Sequence, residues 1–132
     1  MAAELSPHDE APGEDWPDLA ASARFYLDGL GLDRLGGFQD HQGFDGFMAG
    51  LPDWPFHLEL TFEHGCTRLP PASPEDLLVF YVSEAAARDR LDLRMRALGF
   101  APVVSTNPYW EACGRTYADP DGYRVVVAAP PR

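Results

Sequence analysis

Residues 24–32, Arg-Phe-Tyr-Leu-Asp-Gly-Leu-Gly-Leu, carry a helical pattern into a strand pattern, and residues 98–100, Leu-Gly-Phe, do the same later in the chain. Each glycine falls where a helix must stop, because only glycine turns there without a side-chain clash. Working back from Leu30, apolar positions at Leu19, Ala23, Tyr26, Leu27 and Leu30 describe a helix buried along one face. It starts near Asp15 with Pro17 in its first turn and Asp15 and Asp18 at its amide-rich end. Working back from Leu98, the stripe Ala87, Leu91, Met95 and Leu98 predicts a second helix, with Ser83 as its cap. An internal duplication is the economical reading of the repeated helix end.

Strands are predicted at Asp33–Phe38, Phe44–Leu51 and Phe56–Glu63 after the first helix. The third alternates best, with Phe56, Leu58, Leu60 and Phe62 on one side and His57, Glu59, Thr61 and Glu63 on the other. In the second half the continuous apolar run Leu77–Val82 predicts a strand covered on both faces. Phe100–Ser105, Arg115–Ala118 and Tyr123–Ala128 follow, the last two joined by the turn Asp119-Pro120-Asp121-Gly122. The second half thus reads strand, helix and three strands, and the first half is the same without its opening strand.

This predicts an α+β fold of two βαβββ-type modules that form a cupped mixed sheet with outer helices. The expected organisation is a disordered acidic arm over residues 1–14 and one domain over 15–132. That domain divides into a first module at 15–63, a proline-containing linker at 64–76 and a second module at 77–128. The edge of Phe56–Glu63 left bare by the missing strand needs a cover. The arm, a partner chain or residues upstream could supply it, and a homodimer is the preferred solution.

Composition narrows the function. The 132 residues hold 21 acids against 10 bases, a net charge of −11, with 45% hydrophobic and 12% aromatic content. Every base is an arginine, and Arg88, Arg90, Arg94 and Arg96 fall on one helix without interleaved aromatics, so nucleic acid is an unsuitable partner. No run reaches the roughly 18–20 apolar residues that a bilayer crossing needs, and the start lacks a signal-peptide pattern, so no membrane partner and a cytoplasmic location are expected. Cys66 and Cys113 form neither a disulfide framework nor a zinc spacing.

The chain resembles the vicinal oxygen chelate superfamily, the glyoxalase, bleomycin-resistance and dioxygenase group. The residues that carry the likeness are Arg24–Leu32, His57-Leu58-Glu59-Leu60 and Asp119-Pro120-Asp121-Gly122-Tyr123. Through Asp45-Gly46, Asp76–Tyr81 and Asn107-Pro108-Tyr109-Trp110 it is most similar to the YycE-like branch. The resemblance implies a cup that holds a divalent metal on four strand positions. Carried across, the first has no counterpart, the second is Glu59, and the third and fourth are Leu77 and Val126. One carboxylate with two aliphatic side chains cannot hold such an ion, so no metal and no cofactor are expected. A site outside the family pattern, of His57 and Glu59 with His41 or His64, is the lesser alternative.

Candidate catalytic residues are Glu59 and His57, and candidate ligand-binding residues are Tyr81, Tyr109, Trp110, Arg124 and Trp54. The structural alternatives are an ion pair of Glu59 with Arg124 or Arg115, a hydrogen-bonded wall role for His57, and ordinary packing for Tyr81 and Trp54. Tyr109 and Trp110, adjacent in a predicted turn, either cap a ligand or cover another subunit. The preferred function is metal-independent binding and sequestration of a small organic molecule, cationic or aromatic, in the manner of bleomycin-resistance proteins. The alternatives are an enzyme of lyase, isomerase or glyoxalase type that uses Glu59 with His57 or Tyr81, and a non-catalytic scaffold.

Overall fold

The computed structural model describes residues 17–66 and 71–131, so the acidic arm at 1–14 lies outside it. The chain divides into two compact units, Met1–Arg68 and Leu69–Arg132.

In the first unit, helix α1 (Pro17–Ala23) continues into a π-helical segment (Arg24–Gly29), followed by β1 (Asp33–His41), β2 (Phe44–Gly50) and β3 (Leu58–Glu63). The three strands form an antiparallel sheet in the order β1-β2-β3. In the second unit come β4 (Leu77–Tyr81), α2 (Ala85–Ala97), the short helix α3 (Pro108–Cys113), β5 (Gly114–Ala118) and β6 (Arg124–Ala128). Their sheet order is β4-β6-β5, with β4 parallel and β5 antiparallel to β6. The predicted mixture of helices and strands is therefore present as two small three-stranded sheets with helices. Among the described residues β3 lacks the parallel neighbour that β4 gives to β6.

The repeated helix ends are built alike. At Gly99, φ is 93°, and the amides of Gly99 and Phe100 bond the carbonyls of Arg96 and Met95 at 3.0 and 2.8 Å, the paired closure that a left-handed residue permits. At Gly31, φ is 82°, and Leu32 N–H bonds Tyr26 O at 3.2 Å, a span one residue longer. The wider π turn accounts for that residue. It also corrects the predicted face: Phe25 is fully buried with Tyr26, their rings 4.8 Å apart, whereas Leu27 is only half-buried.

Three other expectations change. Helix α2 is capped at Glu84 with no side-chain cap, not at Ser83. Arg88 Nη1 donates instead to the Val82 and Ser83 carbonyls at 2.6 and 3.1 Å, which closes the strand-to-helix connection. The predicted strand Phe100–Ser105 is reduced to a single bridge, Val103 to Thr116. Pro102 has no amide to donate, Val104 O accepts from Arg124 Nη1 at 3.0 Å, and Ser105 N–H donates to Glu111 Oε1 at 2.6 Å. Finally, β3 starts at Leu58, leaving Phe56 62% exposed rather than on the apolar face.

The core of the first unit lies on the face of β2 and β3 that carries Phe47, Ala49, Leu58, Leu60 and Phe62; Phe47 and Ala49 are fully buried, and α1 packs on β3. In the second unit, Val125, Val127 and Tyr117 face α2, whose inner stripe is Leu91 and Met95.

Candidate functional site

The strand registers separate the candidates. Glu59 opposes Met48 across β2–β3, so its side chain lies on the face opposite the core, beside Gly46, Met48 and Gly50. At Gly50 three side chains converge where a Cβ would sit: Leu35 Cδ1 at 3.2 Å, Trp54 Cε3 at 3.4 Å and His57 Cβ at 3.5 Å. Gly46 is likewise filled by the Phe38 ring. Two glycines in one strand thus make room for aromatic groups on the glutamate face, and Trp54 lies 5.6 Å, ring to ring, from Phe56. The structure brings Trp54, His57 and Glu59 to one end of one sheet.

Glu59 is exposed and makes no hydrogen bond or ion pair among the described residues. Its proposed arginine partners are occupied elsewhere. Arg115 Nη2 donates to Asp89 at 3.1 Å, and Arg124 Nη1 is held by Val104 O. The two further histidines do not join it. His64 lies beyond the far end of β3, with Nε2 2.8 Å from Asp45 Oδ1 and Nδ1 3.4 Å from Asp40 Oδ1. The rise of a strand sets it about 17 Å from Glu59. His41 stands near the Phe38 ring, 6.1 Å away.

In the second unit, Leu77, Val79 and Tyr81 share a face with Arg124, Val126 and Ala128, opposite α2. Tyr81 is 50% exposed there, while Phe80 points to the helix side with Val127. Arg124 and Tyr81 stand at opposite ends of the parallel pair, since Arg124 opposes Leu77 and Tyr81 opposes Ala128. Tyr109 and Trp110 lie on α3 rather than in an open turn. Asn107 Oδ1 accepts from Tyr109 N–H at 3.0 Å, and the two rings meet edge to face at 4.9 Å. The Asn-Pro pair is a helix-start signal, and the cap it forms corrects the predicted turn.

The divalent metal that the fold family implies does not fit these residues. Leu77 and Val126 offer no lone pair, and Glu59 alone supplies too few donors. Among the described residues no three histidine, cysteine, aspartate or glutamate side chains gather into a metal-binding group.

Sequence reasoning missed a polar cluster on the helix side of the second unit. Asp92 on α2 is buried and accepts from Tyr117 Oη at 2.7 Å and Arg96 Nε at 2.8 Å, with Arg115 Nε 3.9 Å away. Burial pushes the Asp92 carboxyl up, but the hydrogen bonds from Tyr117 and Arg96 and the nearby arginine charges outweigh it and hold the group below its usual range. Burial and the bond to Asp92 push the Tyr117 phenol up. This cluster ties helix to sheet and holds its protons fixed at neutral pH, which is a structural role. Beside it, a polar cleft of about 320 Å³ is lined by Arg88, Asp89, Glu111, Cys113 and Arg115, among others.

Comparison with known proteins gives the affiliation. Residues 17–61 match the YycE-like N-terminal domain and residues 75–129 the YycE-like C-terminal domain. The chain belongs to the YycE-like family. It is 45% identical over 103 residues, 78% of this chain and 74% of the relative, to the uncharacterised protein YycE of Bacillus subtilis strain 168. The crystal structure of a YycE protein of unknown function from Bacillus subtilis superimposes with a TM-score of 0.80 at 41% identity, covering 87% of this chain and 84% of that one. Glyoxalase I of Leishmania major (TM-score 0.65, 22% identity, 85% and 78% covered) and the fosfomycin resistance protein FosX of Mesorhizobium loti (0.60, 13%, 86% and 84%) share the fold. The YycE-like chain thus has the vicinal oxygen chelate fold, and among its described residues no helix is long and apolar enough to cross a membrane.

Proposed function

We propose that this YycE-like protein is a metal-independent binding protein that sequesters a small organic cation, aromatic in part, against the glutamate face of its first unit. The observation that carries this reading is the Glu59 carboxylate, without a protein counter-ion among the described residues and on the same face as Trp54 and His57. A carboxylate and an indole ring on one face offer a cation both a counter-charge and a ring quadrupole. The net charge of −11 draws such a molecule in. Aliphatic Leu77 and Val126 at two of the metal positions remove the donors that glyoxalase-type chemistry would use. We take the working form to be a homodimer.

A second reading has one observation in its favour: His57, against Gly50, and Glu59, opposite Met48, share one face of the first sheet, where they could serve as an acid and base. Tyr81, the alternative acid, stands in the second unit.

The test is a fluorescence titration with benzyltrimethylammonium as cationic aromatic probe and benzoate as its anionic counterpart. Saturable quenching by the cation, insensitive to EDTA and lost in E59Q, is the expected result. Equal response to both probes, or none to either, contradicts the proposal.

A further inference from the structure

The polar cleft of about 320 Å³ lies wholly within the second unit. Arg88 and Asp89 reach it from α2, Glu111 from α3, and Arg115 and Val127 from β5 and β6. Its charges divide into one matched pair and two unmatched groups. Arg115 Nη2 donates to Asp89 Oδ1 at 3.1 Å, so these two neutralise each other. Arg88 meets no carboxylate among the described residues; its Nη1 donates to the carbonyls of Val82 and Ser83 at 2.6 and 3.1 Å, which cancel no charge. Glu111 meets no base among the described residues. Its Oε1 accepts from Ser105 N–H at 2.6 Å, and Oε2 takes no bond. One unneutralised cation and one unneutralised anion thus line the same cleft without pairing.

We propose that this cleft binds a free amino acid with a small side chain, as its zwitterion, with the carboxylate on Arg88 and the ammonium on Glu111. The assignment follows from what each group has left to give. A guanidinium carries five N–H donors, and Arg88 spends only those of Nη1. Its Nε and Nη2 remain as a fork that fits a carboxylate, and Glu111 Oε2 remains as an acceptor for an ammonium. A simple anion drawn to Arg88 is repelled by Glu111, and a simple cation drawn to Glu111 is repelled by Arg88, whereas a zwitterion meets both. The volume falls at the lower end of the roughly 300–1,000 Å³ typical of ligand pockets. Only Val127, Ala112 and Gly114 give the lining an apolar part, which limits the side chain to a small one.

Both charged groups are held in place before any ligand arrives. The Val82 and Ser83 carbonyls fix Arg88, and the Ser105 amide fixes Glu111, so binding orders little that is mobile. A ligand that lacks either charge leaves its protein partner partly desolvated and unpaired, which should cost at least about tenfold in affinity. The site is independent of the cation site proposed on Glu59, which belongs to the first unit.

The experiment is a proton–nitrogen correlation NMR titration of the isotope-labelled full chain with L-alanine, propionate and ethylammonium at constant ionic strength. Each probe is taken to about 100 mM, enough to fill a site of millimolar dissociation constant. The amides of Ala112, Gly114 and Arg115 are expected to shift saturably with L-alanine while those of Met48 and Glu59 stay in place. Propionate and ethylammonium should bind at least about tenfold more weakly. E111Q keeps an oxygen for the Ser105 amide but loses the charge, so it should lose the preference for L-alanine over propionate. R88Q should lose the preference for L-alanine over ethylammonium. Should R88Q misfold for want of its bonds to Val82 and Ser83, E111Q and the wild-type ranking of the three probes decide. No cleft shift with L-alanine, shifts of equal size at Glu59, an equal response to all three probes, or an E111Q that still prefers L-alanine to propionate overturns the proposal.

Discussion

Tyr117 in β5 donates a 2.7 Å hydrogen bond to Asp92 on α2, across 25 residues of sequence, and both side chains are buried. The pair anchors the helix of the second unit to its sheet, and Arg96 and Arg115 complete it. Removing the phenol leaves a buried carboxylate short of one donor, so Y117F should lose about 1–3 kcal/mol of stability, read by urea denaturation. D92A removes the acceptor and a packed group together and should lose at least as much.

The same pair sets a pH dependence. The Asp92 carboxyl is lowered on folding, so its contribution is full above the unfolded value near 4 and disappears as pH falls through the folded value. The Tyr117 phenol is raised, so its contribution is full below the unfolded value near 10 and disappears as pH rises through the folded value. Asp121 in the β5–β6 turn, raised by burial and by the charge of Asp119, works against Asp92 on the acid side. Urea midpoints of the wild type should be flat between these limits and fall on both sides. In Y117F the alkaline fall attributable to the phenol should be absent.

Two glycines with equally short approaches should respond unequally. A Cβ at Gly114 would lie 2.4 Å from the carbonyl oxygen of Val127 and 2.8 Å from Ala128, which is backbone of the paired strand. One at Gly46 would lie 2.4 Å from the end of the Phe38 ring, which can swing away. G114A should therefore lose about 3 kcal/mol or more and G46A nearer 1. Thermal denaturation that ranks them the other way contradicts the register of β5 on β6.

Asn107 holds the first turn of α3, and with it Tyr109 and Trp110. N107A should cost about 1 kcal/mol and alter the near-UV circular dichroism of that aromatic pair. N107D, which keeps the acceptor, should restore both.

Much of this fold could be read from local pattern. Helix α2 announces itself by Leu91 and Met95, and β3 by the alternation of Leu58, Glu59, Leu60 and Thr61, because each period follows from the geometry of its own element. What escaped was set by partners distant in sequence. Val103 to Ser105 looks like a strand, yet Arg124 and Glu111 take the backbone groups that a ladder would use. Phe25 falls off the face that a 3.6-residue period predicts, because a π turn, invisible in composition, rotates it inward. In the site, the alternation of β3 put His57 and Glu59 on one face, whereas the approach of Trp54 to them depends on Gly50 in a different strand. Nothing in the spacing of Asp92 and Tyr117 revealed their bond.

The most direct check on the central claim combines metal analysis with probe binding in one preparation of untagged protein. The account expects a substoichiometric content of every divalent metal and benzyltrimethylammonium binding that survives dialysis against EDTA but weakens at least about tenfold, or 1.4 kcal/mol, in E59Q. A divalent ion held at one per chain, lost in E59Q and required for binding, would contradict it.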